Sequence, residues 1–289
     1  MSKKRSFVDI AWGFLLLTHP ERLAFLLLGV GAFAVLAAWP HLVWTTLVLL
    51  VAAHAAMQAS IAILNDYCDR RLDALSKPQK PLVRGLVLPR EALVVGLLMM
   101  PLMLALLLFL PPLALLVSLL YLALGQAYNL ELKSTPWSGL VFALAMPLLP
   151  VYAWVGVGRS SLAVFWMVPV GFLLGVALHL ATALPDLESD KAGGAQTLAV
   201  WLGVQRSFLL CPLLMVGAAV LMSLLLLVRL VPGPAWVIAA LLGVTALAVA
   251  AMTRLSGPQK PPQTRAAYFY VVVVTCLIVG VSWFVIVTR

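Results

Sequence analysis

Residues 42–64 read LVWTTLVLLVAAHAAMQASIAIL, and residues 65–73 read NDYCDRRLD. The first stretch contains no Lys, Arg, Asp or Glu. It is long enough to cross a hydrocarbon core as an α-helix, which needs about 20 apolar residues. The second stretch sets Asp66, Asp69 and Asp73 where such a helix meets the interface. Strands of a membrane barrel would alternate in polarity over about 10 residues, so a continuous run of this length decides for helix.

Composition extends that reading to the whole chain. It is 64% hydrophobic and 10% charged over 289 residues, with a mean hydropathy of +1.09. A soluble domain is about half apolar and a quarter charged. The expected class is therefore an all-α integral membrane protein. The formal net charge of +9 points to membrane topology and anionic lipid, and nucleic acid is not expected as a partner. Cys68, Cys211 and Cys276 lack metal-ligand spacing and imply no disulfide framework. The basic MSKKR start is followed by no small-residue cleavage site, so no cleavable signal peptide is expected.

Hydropathy predicts nine spans, at about 22–39, 43–64, 92–110, 113–132, 138–157, 162–184, 207–228, 235–252 and 267–287. Residues 6–17 predict a short helix on the membrane surface, within an interfacial segment 1–21. With these spans, sixteen lysines and arginines, from Lys3 and Lys4 through Lys260 to Arg265, fall on one side. Arg159, Arg229 and Arg289 fall on the other. The excess marks the cytoplasmic side. The N-terminus is predicted inside and the C-terminus outside, in a bacterial or archaeal-type cell membrane. The longer polar connections, 65–91 and 185–206, are both inside. Acidic clusters follow the second and sixth spans, which hints at two related four-helix halves plus a ninth helix. No linker interrupts the chain, so 1–289 is expected to be a single domain.

On a helix, Asn65, Asp66, Asp69 and Asp73 share one face. Like charges at i,i+4 oppose helix formation by about 0.2–0.5 kcal/mol per pair. An Asp at mid-membrane costs about 2.5–3.5 kcal/mol, and less near the ends. A multivalent cation would convert that repulsion into binding. Carboxylates with an amide oxygen are hard ligands that suit Mg²⁺. The second cluster, LPDLESDKAGGAQTL, places Asp186 and Asp190 at i,i+4, with Gly193–Gly194 ending the helix or opening a tight loop. Mg²⁺ typically takes one or two carboxylates plus substrate phosphate oxygens, so the two acidic faces could grip one diphosphate. Arg70, Lys80, Arg84, Lys133 and Lys191 stand ready for the same anion, while Lys77 reads as an interfacial anchor.

Polar or aromatic stripes rise from these clusters. His54 and Gln58 precede Asn65, His179 and Thr182 precede Asp186, and Tyr121, Gly125 and Tyr128 share a face ending near Asn129. In lipid such stripes turn inward, and together they describe a central cavity open to the cytoplasmic side. His54 and His179, taken singly, also fit packing residues hydrogen-bonded to a neighbouring helix.

At these residues the chain resembles the UbiA superfamily of membrane prenyltransferases. NDYCDRRLD matches that family's N-D-x-x-D-x-x-x-D motif. KPLVRG resembles its R-P-L-x-x-G element, with Lys80 in the arginine place. DLESDKAGGAQTLAVWLG matches its second Asp-rich motif with G-x-x-T-L, and YNLELK (Tyr128, Lys133) resembles its tyrosine–lysine element. The resemblance implies nine transmembrane helices ringing a cavity open to the cytoplasm and to lipid. It implies Mg²⁺-dependent transfer of a polyprenyl group from its diphosphate to an acceptor, aromatic or quinone-precursor-like in much of the family. The implied Mg²⁺ ligands are Asn65, Asp66, Asp69, Asp73, Asp186 and Asp190. Asp69, Asp186, Asp190, Tyr128 and Lys133 are the implied catalytic set, with Arg70, Lys80, Arg84, Lys133 and Lys191 on the diphosphate. Arg22, His54, Gln58, Tyr121, His179 and Thr182 are left for the acceptor or the cavity wall. The implied partners are a polyprenyl diphosphate donor, a small-molecule or lipid acceptor, and membrane lipid. A terpene cyclase on the same scaffold, using no acceptor, and a transporter or flippase are the alternatives.

Overall fold

A computed structural model describes residues 5–159, 161–192, 194–257 and 262–288. Of the residues singled out above, Lys3, Lys4, Gly193, Lys260 and Arg289 lie outside these. Among the described residues every regular element is helical. The order is α1 (Phe7–Leu17), α2 (Pro20–Ala38), α3 (Trp44–Ser76), α4 (Pro89–Leu107), α5 (Pro112–Leu130), α6 (Ser138–Gly156), α7 (Met167–Ala183), α8 (Leu187–Ala192), α9 (Leu198–Leu227), α10 (Trp236–Leu255) and α11 (Pro262–Val287). Short 3-10 turns, Leu132–Ser134 and Leu162–Trp166, precede α6 and α7. Among the described residues, nine helices are long and apolar enough to cross a membrane. The protein is an integral, multi-pass membrane protein.

The helix starts follow local chemistry. Pro20, Pro89 and Pro112 open α2, α4 and α5, where a missing N–H costs nothing. Ser6 and Asp9 form a reciprocal capping box before α1: Asp9 N–H donates to Ser6 Oγ at 3.1 Å, and Ser6 N–H donates to Asp9 Oδ2 at 2.9 Å.

Helix ends depart from the predicted spans. The second helix does not stop near residue 64 but runs unbroken to Ser76 as a 33-residue rod, about 50 Å long at 1.5 Å per residue. Much of the connection expected over 65–91 is therefore helix. The seventh begins at Leu198 rather than 207, and the ninth at Pro262 rather than 267. Hydropathy marks only the part of a helix that lipid requires to be apolar. In α3 the i to i−4 ladder continues into polar sequence without it, whereas α9 gains its early start from a helical turn joined across a kink at Gly203.

The chain divides into two compact units. The first comprises Met1–Leu130 with Tyr152–Ser160, and the second Glu131–Val151 with Ser161–Arg289. In the first unit α3 is the hub. A Cβ on Gly96 of α4 would stand 2.8 Å from Leu64, and one on Gly125 of α5 would stand 2.6 Å from Ile61. Small residues let helix backbones approach closely in membranes. Ser60 Oγ donates to the Gly96 carbonyl at 2.8 Å across the first of these contacts. In the second unit a Cβ on Gly175 of α7 would stand 2.8 Å from the Ala143 backbone of α6. Cys211 packs against the Ala177 carbonyl, and Tyr268 OH donates to the Phe208 carbonyl at 3.0 Å. Some hydroxyls inside the spans are spent on their own helices. Ser223 donates to Ala219 and Thr275 to Val271, each at 2.7 Å, which suits a solvent offering no other acceptor.

Candidate functional site

In the first unit the acidic motif rides on the last three turns of α3. Asp66 and Asp73 are 2% and 3% exposed, whereas Asp69 is half-buried. The helical period explains this division. Residues 66 and 73 are two turns apart and nearly eclipsed, while position 69 lies about 60° round from 66. Asp66 Oδ1 accepts from Lys80 Nζ at 2.6 Å and from His19 Nε2 at 3.2 Å. Its Oδ2 is buried with no protein partner. Asp73 pairs with Lys77 one turn on, at 3.0 Å.

Lys80 reaches Asp66 because the chain after α3 turns back on itself. Lys80 N–H donates to the Lys77 carbonyl, Arg84 N–H to the Lys80 carbonyl, and Leu86 N–H to the Pro81 carbonyl. Arg84 is exposed on this turn. Arg70 folds back on its own helix, donating to the Tyr67 carbonyl at 2.6 Å with its guanidinium 4.1 Å from the Tyr67 ring centre. Asn65 Nδ2 donates to Asn129 Oδ1 at 2.8 Å, and Asn129 in turn donates to the Ile61 carbonyl. These bonds lock α5 to α3 and leave the Asn65 oxygen as its free hard donor. Tyr128, half-buried on α5, lies within electrostatic range of both Asp69 and Arg22. Arg22 itself is exposed on the first turn of α2.

Higher on α3 the predicted stripe points into the first unit. His54 is 1% exposed. Gln58 Nε2 lies 3.1 Å from His54 Nε2 and donates to Tyr121 OH at 3.0 Å. Tyr121 and Tyr152 rings both flank His54 at 5.7 Å. Tyr152, which sequence reasoning missed, donates to the Leu50 carbonyl at 2.9 Å. His54 and Gln58 are thus tied to Tyr121 and Tyr152 by polar and ring contacts.

In the second unit Asp186 lies in the turn before α8, and the Asp190 N–H donates to the Asp186 carbonyl at 2.8 Å. The i,i+4 pairing expected from sequence is present. Burial, and then the charge of Asp186, push the Asp190 carboxyl above its ordinary range. The α8 helix closes as expected on a glycine: Gly194 has φ +77, with Gly194 N–H bonded to the Lys191 carbonyl and Ala195 N–H to the Asp190 carbonyl, a Schellman arrangement. Thr197 then caps α9, its Oγ1 accepting from Val200 N–H. Gly203 kinks that helix at φ 78, ψ 168, a region open essentially to glycine alone. Lys191 is exposed and Lys133 half-buried. His179 Nε2 lies 3.5 Å from Ser138 Oγ, and Thr182 is exposed, bonded to the Leu178 carbonyl. Arg265, counted in the sequence only as a topological charge, reaches the Leu184 carbonyl at 3.5 Å. An apolar crevice of about 430 Å³ lies between α10 and α11, lined by residues such as Trp236, Leu241, Ile278 and Val285. It holds none of the acidic residues.

Among the described residues no three carboxylate, imidazole or thiol side chains converge as a ready-made metal cage. The donors present nonetheless suit Mg²⁺. Asp66 offers a buried, unpartnered carboxylate oxygen, and Asp186 and Asp190 stand close enough for the charge of one to act on the other. Mg²⁺ ordinarily takes one or two carboxylates and fills its octahedron with water and phosphate oxygens.

The sequence pattern of the UbiA prenyltransferase family matches residues 23–274. The chain belongs to this family. Among its UbiA-type relatives is a digeranylgeranylglyceryl phosphate synthase of Pyrococcus abyssi, 34% identical over 145 residues. That match spans 50% of this chain and about half, 52%, of the relative's length. A bacteriochlorophyll synthase 33 kDa chain of Cereibacter sphaeroides is 30% identical over 213 residues, 71% of this chain and 70% of the relative. A UbiA homolog from Archaeoglobus fulgidus, solved bound to GPP and Mg²⁺, superposes with a TM-score of 0.71 at 20% identity. It covers 94% of this chain and 99% of that one. The UbiA fold therefore extends over nearly the whole chain, and both aspartate motifs fall inside the matched region.

Proposed function

We propose that this UbiA-family protein catalyses Mg²⁺-dependent transfer of a polyprenyl group from a polyprenyl diphosphate to a small-molecule or lipid acceptor within the membrane. The observation that carries this reading is Asp66, a buried carboxylate with one oxygen held by two donors and the other without a protein partner. Asp66, Asp69 and Asp73, with the Asn65 oxygen, form one ligand set, and Asp186 with Asp190 the other. The cation, when bound, neutralises the diphosphate and makes it a better leaving group.

The chain's own residues supply the rest. Lys80, Lys133, Lys191, Arg84 and Arg70 provide positive charge for the diphosphate oxygens. Lys80 has first claim, since it already sits on the motif. Departure of an allylic diphosphate leaves a carbocation that needs a dry site. Tyr128 and Tyr121 offer aromatic faces, worth about 0.5–2 kcal/mol each toward a cation. Arg22, His179 and Thr182 are assigned to the acceptor side. The A. fulgidus homolog, bound to GPP and Mg²⁺, supports the donor and the cation. The two relatives' names describe different products, so a glyceryl phosphate and a tetrapyrrole join aromatic rings as acceptor classes to be tried. The two units are taken as one catalytic domain, with the N-terminus and both aspartate motifs on the cytoplasmic side.

The test uses full-length protein in lipid nanodiscs with Mg²⁺ and a geranylgeranyl-type diphosphate. Release of diphosphate that requires an added acceptor supports transfer. A cyclic hydrocarbon or alcohol formed without acceptor establishes the cyclase. No release with any donor and acceptor offered defeats the enzymatic reading in favour of a transporter.

A further inference from the structure

We infer that His19 is a positioning residue for the first aspartate motif, and that residues 5–18 form the strap that holds it there. This rests on the proposed role of Asp66 as a cation ligand. It adds a residue outside every motif and a reason for the N-terminal helix.

The argument starts from the two oxygens of Asp66. The terminal torsion of an aspartate is broad and nearly two-fold, so an unrestrained carboxylate exchanges its oxygens freely. Here both donors, His19 Nε2 at 3.2 Å and Lys80 Nζ at 2.6 Å, converge on Oδ1. That fixes which oxygen is spent and leaves Oδ2 buried and open. A buried polar atom without a partner is rare enough in folded proteins to need a cause, and a cation ligand held in readiness is one. Lys80 alone cannot maintain the arrangement. Its ammonium is a flexible point charge, and it is also the cation nearest any diphosphate brought to the motif. When Lys80 turns to the anion, His19 is the donor that remains on Oδ1.

The backbone at His19 is built for this contact. It stands at the N-cap of α2 in a left-handed conformation, φ 50 and ψ 67, and its side chain makes no cap bond. For a residue that is neither Gly, Asn nor Asp, that conformation costs about 1–2 kcal/mol. It persists where surrounding structure over-determines it, and the strap supplies that structure. At one end Arg5 makes a two-pronged ion pair with Glu91, at 2.7 and 2.9 Å, and bonds the Leu86 carbonyl. In the middle Gly13 lies so close to the Val87 and Leu86 side chains that a Cβ would stand 2.7 Å from the Val87 Cγ2. Toward the other end Phe14 and Leu17 pack with Ala59, Ile63, Val87 and Ala92. The strap thus binds α3 and α4 just beneath the motif and delivers His19 to Asp66 from outside both helices.

The experiment measures Mn²⁺ affinity, by electron paramagnetic resonance, in full-length detergent-solubilised protein without donor, beside steady-state KM and kcat. His19→Ala is expected to weaken Mn²⁺ binding about 10- to 100-fold, the usual effect of losing an outer partner of a metal ligand. His19→Gln, which keeps an N–H donor, is expected to recover most of that loss. Gly13→Val, which touches neither His19 nor Asp66, is expected to weaken binding by pushing the strap away. Wild-type Mn²⁺ affinity in His19→Ala overturns the proposal, as does equal weakening in His19→Gln. Wild-type affinity in a folded Gly13→Val overturns the strap. The control is Asp66→Asn: if it binds Mn²⁺ as the wild type does, the underlying reading of Asp66 fails instead. Should His19→Ala not fold, the glutamine and Gly13 variants decide.

Discussion

Lys80 returns across fourteen residues to place its Nζ 2.6 Å from Asp66 Oδ1, where Asp66 is 2% exposed and Lys80 20%. Removing one partner of a buried ion pair costs more than the pair contributes, because the other charge is left uncompensated. His19 stays on the same oxygen, and Lys80 is partly solvated, so Lys80→Ala is expected to destabilise metal-free protein by about 1–3 kcal/mol. Asp66→Asn should remove most of that penalty. A double-mutant cycle in denaturant, with a coupling energy indistinguishable from zero, would show that the contact carries no energy.

Asp69→Ala and Asp186→Ala, one from each motif, are each expected to lower diphosphate release by at least ~100-fold, about 2.7 kcal/mol of barrier. Both should leave helical content and melting temperature close to wild type. Cys68→Ser should be within about 0.5 kcal/mol of wild type in stability and unchanged in rate. Circular dichroism beside the release assay separates these outcomes.

Asp190 carries a pH prediction. Its carboxyl is raised by burial and by the charge of Asp186. The folded protein therefore takes up this proton at a higher pH than the unfolded chain. The local penalty is present above the raised pKa and is relieved as pH falls through it. A metal ligand must be ionised, so Mg²⁺ binding at this motif should begin to weaken above the ordinary aspartate range. Asp186→Asn should move the Asp190 titration back down, read by isotope-edited infrared spectroscopy of the carboxyl band in metal-free protein. An unmoved band would place the cause in burial alone.

Two glycines report on packing and backbone separately. Gly125→Val forces a side chain into Ile61 and should cost about 1–3 kcal/mol as an overpacked contact. Gly203→Ala meets no neighbour within 4 Å. It should cost about 1–3 kcal/mol through its backbone conformation alone. Thermal melting of both, with Gly243→Ala as an unhindered control, tests the distinction.

Much of the fold was legible because lipid imposes it. A run such as residues 42–64 has few structures open to it, and nine such runs give the nine candidate spans. Where α3 ends was not legible, because beyond Leu64 the helix no longer needs apolar residues. The Asp186–Asp190 turn and the Gly194 stop were readable from spacing alone, since both are local. The division of the first motif into buried Asp66 and Asp73 and half-buried Asp69 was blurred, because offsets of four and eight drift round a 3.6-residue helix. The contacts of Asp66 with His19, and of Glu91 with Arg5, join stretches 47 and 86 residues apart. No periodicity or spacing carries that information.

The unbroken α3 has a mechanical consequence. Gln58 and Asp66 belong to one rigid rod, so the carboxylates cannot shift toward an arriving headgroup without dragging the intramembrane core along or breaking ladder bonds. Residues 86–87 are pinned by Arg5, Leu17 and the core beneath, so the turn from Lys77 to Gly85 is the natural place to look for motion during a turnover cycle.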